Sequence, residues 1–148
     1  MCLFGKSLTR YAFSFLKYAK IAVGAMYMKE FLLVGLGGAA GAMLRYGMSM
    51  IPVKSEFPFM TLLINFLGAV IIGILAALSI KQTLLTSDSL LLLKTGVCGG
   101  FTTFSTFSLE AVTLLEQHKT GLGITYIAAS ILLCLLGVLL GKSAVHWL

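Results

Sequence analysis

The densest run of chemically capable side chains is Gly99-Gly100-Phe101-Thr102-Thr103-Phe104-Ser105-Thr106-Phe107-Ser108, five hydroxyls interleaved with three phenyl rings. A hydroxyl can donate to an anion or offer its oxygen to a cation. A phenyl ring presents a positive edge to the first and a negative face to the second. Phe104 and Phe107 are three residues apart, so on a helix they share a face. Asn65 adds an amide with two donors and an acceptor, and Tyr126 with Ser130, one helical turn apart, adds two more hydroxyls. Singly, these residues have ordinary readings: an intramembrane Asn commonly bonds a neighbouring helix, and a Tyr/Ser pair commonly serves packing. Together they make polar strips on three helices, and a strip of donors without a fixed acid suits an anion better than a cation.

The elements that must hold these groups are membrane helices. The chain has 148 residues, of which 59% are hydrophobic and 11% charged, and its mean hydropathy is +1.02. That is far more apolar than a soluble domain. About 20 apolar residues span a bilayer core, and residues 57–80 and 120–141 contain no charge at all. A third stretch, 31–51, is interrupted only by Arg45, and a fourth, 90–115, only by Lys94 and Glu110. Arg45 is expected near the far end of the first span, where its head can snorkel to the interface, with Pro52 closing the helix. Two adjacent glycines and two β-branched threonines at 99–103 weaken the helix there. The fold class expected is therefore all-α integral membrane, four transmembrane helices with the third broken near its middle. Irregular backbone at membrane depth is tolerated only where protein or a polar cavity surrounds it, which points to an ion or substrate site. The spaced glycine pairs Gly37/Gly41 and Gly137/Gly141 read instead as close helix packing.

Three stretches together resemble one family. Gly37-Gly38-Ala39-Ala40-Gly41-Ala42-Met43-Leu44-Arg45-Tyr46, Thr61-Leu62-Leu63-Ile64-Asn65 and residues 99–107 are similar to the signatures of the fluoride channels known as Fluc or CrcB, and the resemblance covers residues 28–148. It implies a passive fluoride-selective channel that exports cytoplasmic fluoride, built as an antiparallel dual-topology homodimer with two pores and a structural central sodium ion. By motif position, the resemblance puts Asn65, Phe104 and Phe107 on the fluoride path. Ser105 and Thr106 would stand nearby, Tyr126 and Ser130 would continue the track, and Arg45 would sit at a vestibule. The backbone carbonyls of Gly99 and Thr102 would bind the sodium, and Glu110 would lie toward one pore end.

Charge bears on the assembly independently. Four spans leave little room for a pore within one subunit, and two-fold pairing is the commonest oligomer. With both termini on one side, Lys29, Lys81, Lys94 and Lys142 stand against Arg45, Lys54 and Lys119, a near balance that permits insertion either way. Residues 1–27 depart from the family and upset that balance, adding Lys6, Arg10, Lys17 and Lys20 with no acid, eight cations against three. With Phe13, Phe15 and Leu16 they can form a basic amphipathic extension on an anionic membrane surface, and its cations should hold the N-terminus in the cytoplasm. A natural start at Met28 or Met26 is the alternative expectation, and the interrupted apolar run argues against a signal peptide. The domain reading is an extension over 1–27 and a channel domain over 28–148, in the cell inner (plasma) membrane as a multi-pass protein.

Other motifs do not hold. Gly137-Val138-Leu139-Leu140-Gly141-Lys142-Ser143 is one residue short of a phosphate-binding loop and follows a helix, and Gly35-Leu36-Gly37-Gly38-Ala39-Ala40 lacks a βαβ unit. Cys2, Cys98 and Cys134 have no metal-ligand spacing, so reduced apolar cysteines are expected. His118 and His146 have no nucleophile or carboxylate arrangement beside them, and no enzyme is read. The net charge of +6 resides in the extension and in loop ends flanking spans, which gives no support for nucleic-acid binding. Two alternatives from other classes share the architecture: a four-helix dual-topology small-molecule transporter, which would need an acid deep in the first span where residues 31–44 have none, and a noncatalytic membrane scaffold subunit.

Overall fold

The structure, a computed structural model, describes residues 3–81 and 85–146, and among these every regular element is helical. The elements are α1 (Leu3–Ser49), α2 (Phe59–Lys81), α3 (Ser87–Leu90), a π-helical segment (Leu91–Cys98), α4 (Gly99–Phe101), α5 (Phe104–Glu116) and α6 (Thr120–His146). Four stretches are long and apolar enough to cross a membrane: Tyr27–Ser49, Phe59–Ile80, Ser87–Glu116 and Thr120–His146. The chain divides into two units, Met1–Leu32 and Leu33–Leu148. The first is helical through its described residues; all of the packing discussed below belongs to the second.

In that second unit α1 ends at Ser49 and Pro52 follows in irregular chain, as the ring's missing N–H and fixed φ require. Large apolar side chains point outward in number, among them Leu36, Leu132, Leu135, Leu139 and Leu140. Lipid or a second protein surface, not water, is the solvent for which such a face is built.

Small residues set how near the helices come. A Cβ on Gly37 would overlap the Leu92 carbonyl, one on Gly41 the Val97 carbonyl, and one on Gly100 the Gly38 carbonyl. The end of α1 therefore packs backbone to backbone on the first half of the third span. Likewise α2 and α6 close on each other where Gly73 faces Val138 and Gly141 faces Val70. With no hydrophobic drive between helices in lipid, such close contact supplies the dispersion that holds them.

The third span is broken as the sequence predicts, and its first half is also widened into a π-helix over Leu91–Cys98, a feature the residue pattern did not disclose. At Thr102 (φ −78°, ψ 156°) and Thr103 (φ −147°, ψ 114°) the backbone is extended. Helix resumes at Phe104 because the Thr103 hydroxyl caps it, accepting from Thr106 N at 3.2 Å.

The far end of α5 closes with His118 at φ 60°. Lys119 N donates to Leu114 O at 2.9 Å and His118 N to Leu115 O at 3.1 Å, the paired bonds of a Schellman cap. The left-handed position ordinarily takes glycine, and a Cβ there is strained. Changing His118→Gly is expected to stabilise the fold by about 0.5–1 kcal/mol, read as a higher unfolding midpoint in detergent.

Candidate functional site

The break exposes backbone groups, and the side chain of Asn65 on α2 takes up two of them. Its Nδ2 donates to Thr103 O at 3.1 Å and its Oδ1 accepts from Thr103 N at 2.8 Å. One amide thus replaces the helical bond that the Thr103 N–H forfeits and adds a further donor to the Thr103 carbonyl, and the second Nδ2 hydrogen is left over from this pairing. The sequence suggested a donor facing an ion; the structure gives Asn65 a second task, as a splint across the unwound residue.

The diverted amides identify which carbonyls are released. In continuous helix Thr103 N would bond Gly99 O and Thr106 N would bond Thr102 O. Instead they go to Asn65 Oδ1 and to Thr103 Oγ1. Gly99 and Thr102, the two residues carried over for the sodium, are among the four residues, 99–102, whose carbonyls lose their helical donors at the break. A third carbonyl, that of Gly100, accepts from Arg45 Nε at 3.2 Å. Arg45 is near the end of α1, as expected, but its guanidinium turns inward to the break. The backbone acceptor drawn close by the Gly41 and Gly100 contacts explains that choice.

Beside the break runs an open groove of about 380 Å³ between α2, α5 and α6. Its lining includes Asn65, Thr103, Phe104, Phe107, Ser130 and Cys134. Phe104 is 80% exposed along it, and its ring leans on Phe107 with centroids 5.5 Å apart. Ser130 is buried to 6% exposure, and its Oγ has no hydrogen-bond partner among the described residues. A buried hydroxyl left in that state on a groove wall is a donor in want of an acceptor. Cys98 is buried and Cys134 half-buried, both as free thiols, while Cys2 lies outside the described residues.

The strip continues from Phe107 to Tyr126, ring centroids 5.3 Å apart, and from Tyr126 to Phe57 edge-on at 5.5 Å. Tyr126 itself is fully buried and does not line the groove. Its hydroxyl donates to Glu110 Oε2 at 2.7 Å, and Thr61 Oγ1 donates to Glu110 Oε1 at 2.9 Å. The strip therefore does contain a fixed acid, at its Tyr126 end, contrary to the sequence reading. Spacing could have disclosed it, because Glu110 follows Phe107 by three residues and Thr106 by four, so α5 presents all three on one side. Thr61 entered the sequence reading only as the first residue of a family-like stretch and was given no role, since a threonine at a span's start carries no signal without its partner. Tyr126→Phe is expected to cost about 1–2 kcal/mol of stability, because a carboxylate oxygen loses its donor; a lowered unfolding midpoint in detergent checks it.

Ser105 and Thr106 do not reach the groove. Thr106 Oγ1 accepts from Thr103 Oγ1 at 2.9 Å, and Ser105 Oγ lies 3.4 Å from the same Thr103 hydroxyl, so both belong to the cap of α5. Near the loops, Lys119 Nζ pairs with Glu56 Oε1 at 2.8 Å, an exposed bridge of little energetic weight.

Comparison with known proteins places this arrangement. The family described as CrcB-like protein, Camphor Resistance (CrcB), matches residues 32–142. The fluoride-specific ion channel FluC of Ruminiclostridium cellulolyticum is 46% identical over 121 residues, covering 78% of this chain and 93% of that protein. The protein of the same name from Methanococcus maripaludis is 48% identical over 121 residues, covering 79% and 96%, and that of Chlorobaculum tepidum 43% over 123 residues, covering 79% and 98%. These relatives are named as ion channels, not enzymes. The matched region holds the splinted break, the released carbonyls and the phenyl-lined groove, and the chain belongs to the CrcB family.

Proposed function

We propose that the chain is a passive fluoride-selective channel of the membrane, working as an antiparallel dual-topology homodimer. The observation that carries the reading is the groove at the break, which is lined by the phenyl rings of Phe104 and Phe107, by Asn65 with a spare amide hydrogen and by Ser130 with an unpartnered buried hydroxyl. Fluoride is small and strongly hydrated, so a path must replace its water with close donors yet hold it weakly enough for exit. The ring edges of Phe104 and Phe107 contribute weak positive contacts, while Asn65 Nδ2 and Ser130 Oγ contribute hydrogen-bond donors. Tyr126 and Glu110 stand behind Phe107 and fix its ring.

The groove is open along one side, and Phe104 is exposed there. An ion cannot cross hydrocarbon along an unroofed wall, so a second chain supplies the missing side. The near balance of loop charge outside the extension supports opposite insertion of two identical chains, and two grooves related by a two-fold axis give two pores.

The released carbonyls fit a sodium ion. Gly99 O and Thr102 O would hold it together with their counterparts in the second chain, since sodium takes oxygen ligands and half-helix ends present them. When bound it supplies a fixed positive charge favourable to a nearby anion. The chain's own residues keep those oxygens available, Asn65 and the Thr103 hydroxyl by taking the competing amides, and Arg45 by holding the intervening Gly100 carbonyl.

Purified protein in liposomes loaded with fluoride or chloride provides the test. Fluoride efflux without proton coupling, and with little chloride passage, is expected. Dimeric protein that releases neither ion, or both equally, overturns the reading.

A further inference from the structure

We infer, on the basis of the sodium reading above, that Gly68 is a positioning residue for that ion, acting through the side chain of Thr102. Gly68 follows Asn65 by three positions on α2, so the two share a face. That face meets the break twice. Asn65 takes the backbone of Thr103, and Gly68, itself buried, receives the methyl of Thr102. A Cβ on Gly68 would overlap that methyl, whereas the next atoms, Phe101 Cδ1 and Thr102 Cβ, would lie at 3.5 and 3.7 Å, ordinary contacts. One methyl group therefore accounts for the glycine, where Gly37, Gly41 and Gly100 are held to their size by backbone.

The other branch of Thr102 is equally committed. Its Oγ1 donates to Cys98 O at 2.9 Å, the same carbonyl that accepts from Thr102 N at 3.0 Å. The side chain has only staggered positions about Cα–Cβ, and the hydroxyl, methyl and hydrogen occupy them in a fixed order. With a Cβ at position 68, turning the side chain one way brings the methyl to the Cys98 carbonyl, and turning it the other way brings the hydroxyl against the new Cβ. Either turn forfeits the Cys98 bond, and the remaining escape is for the backbone of the break to move off α2. Held at both branches, Thr102 keeps one place in the broad extended region, at φ −78° and ψ 156°. Its carbonyl keeps one direction with it. A metal ligand on unwound backbone needs such a hold, because no helical bond restrains it.

The full-length protein in detergent, exchanged into N-methylglucamine chloride and titrated with NaCl at constant ionic strength, provides the test. The reading is the sodium concentration that gives half of the rise in unfolding midpoint. Gly68→Ala is expected to raise that concentration about tenfold, the scale of one lost hydrogen bond. In a Thr102→Ser background, which lacks the methyl, the same Gly68→Ala change should alter it less than about twofold. Thr102→Val keeps a methyl over Gly68 but has no hydroxyl for Cys98 O, and it too should need about tenfold more sodium. A glycine of merely structural value would lower the midpoint at every sodium concentration and leave the half-saturating value in place. That result overturns the inference, as does a Gly68→Ala effect that persists in the Thr102→Ser background or an unchanged sodium requirement in Thr102→Val. If Gly68→Ala alone yields no folded dimer, the Thr102→Ser and Thr102→Val arms decide by the same criteria. A parent protein indifferent to sodium overturns the sodium reading and this inference together, whereas a responsive parent with an unshifted Gly68→Ala overturns this inference alone.

Discussion

Asn65→Ser is expected to lower fluoride flux at least about 100-fold and to destabilise the protein by about 2–4 kcal/mol. Serine is too short to reach both atoms of Thr103, so the Thr103 N–H loses its partner at membrane depth and its C=O loses one of two donors. Each unsatisfied group costs about 1–3 kcal/mol, and the chain can recover that energy by rewinding. Continuous helix through 102–103 would return Thr103 N to Gly99 O and remove the spare donor from the groove. Both consequences stop conduction. The check is fluoride efflux from liposomes alongside the unfolding midpoint in detergent. A variant that conducts at the parent rate would show that the break holds without its splint. Asn65→Asp distinguishes the two roles of the side chain: it can still accept from Thr103 N, but it cannot donate to Thr103 O and adds negative charge to an anion path. It is expected to be equally inactive.

Phe104→Ile separates conduction from stability in the opposite way. Its ring is exposed and meets only Phe107 among the ring pairs of the structure, so the single-chain fold loses about 0.5–1.5 kcal/mol from that contact and little else. Isoleucine fills comparable space but has no ring edge. An anion passing that point in a water-poor groove loses a favourable contact whose value grows as the dielectric falls. A barrier rise of about 2–3 kcal/mol corresponds to a loss of flux on the order of 100-fold. Assembly into the dimer should persist, measured by size-exclusion chromatography with light scattering. Normal flux in this variant would remove Phe104 from the path; lost flux with lost assembly would make it an interface residue instead.

The contrast between these two variants also shows what a residue's neighbours add to its type. Both were legible from sequence as polar or aromatic side chains at membrane depth. Only the structure separates a group that holds the backbone open from one that lines the opening. Arg45 makes the same point. Its location near the end of the first span was readable from the apolar run around it, yet its target, Gly100 O, depends on how closely two helices approach.

By itself the sequence determined the four spans, because apolar runs of bilayer length, two without charge and two interrupted by only one or two charged residues, find their stable setting in lipid. It determined the break in the third span, because paired glycines and threonines lower helical preference at one point. The spaced glycines Gly37/Gly41 and Gly137/Gly141 were readable as packing points, but the backbone each one meets belongs to another helix and was decided by the tertiary structure. Tertiary structure alone decided the partners across helices: Asn65 with Thr103, Thr61 and Tyr126 with Glu110, and the unpartnered Ser130 hydroxyl on the groove. Residue types and spacings fix which groups can bond, but hydrogen bonds reach only about 3 Å. Which donor meets which acceptor therefore depends on register and approach between separate helices, and these are set by the packing of the whole second unit.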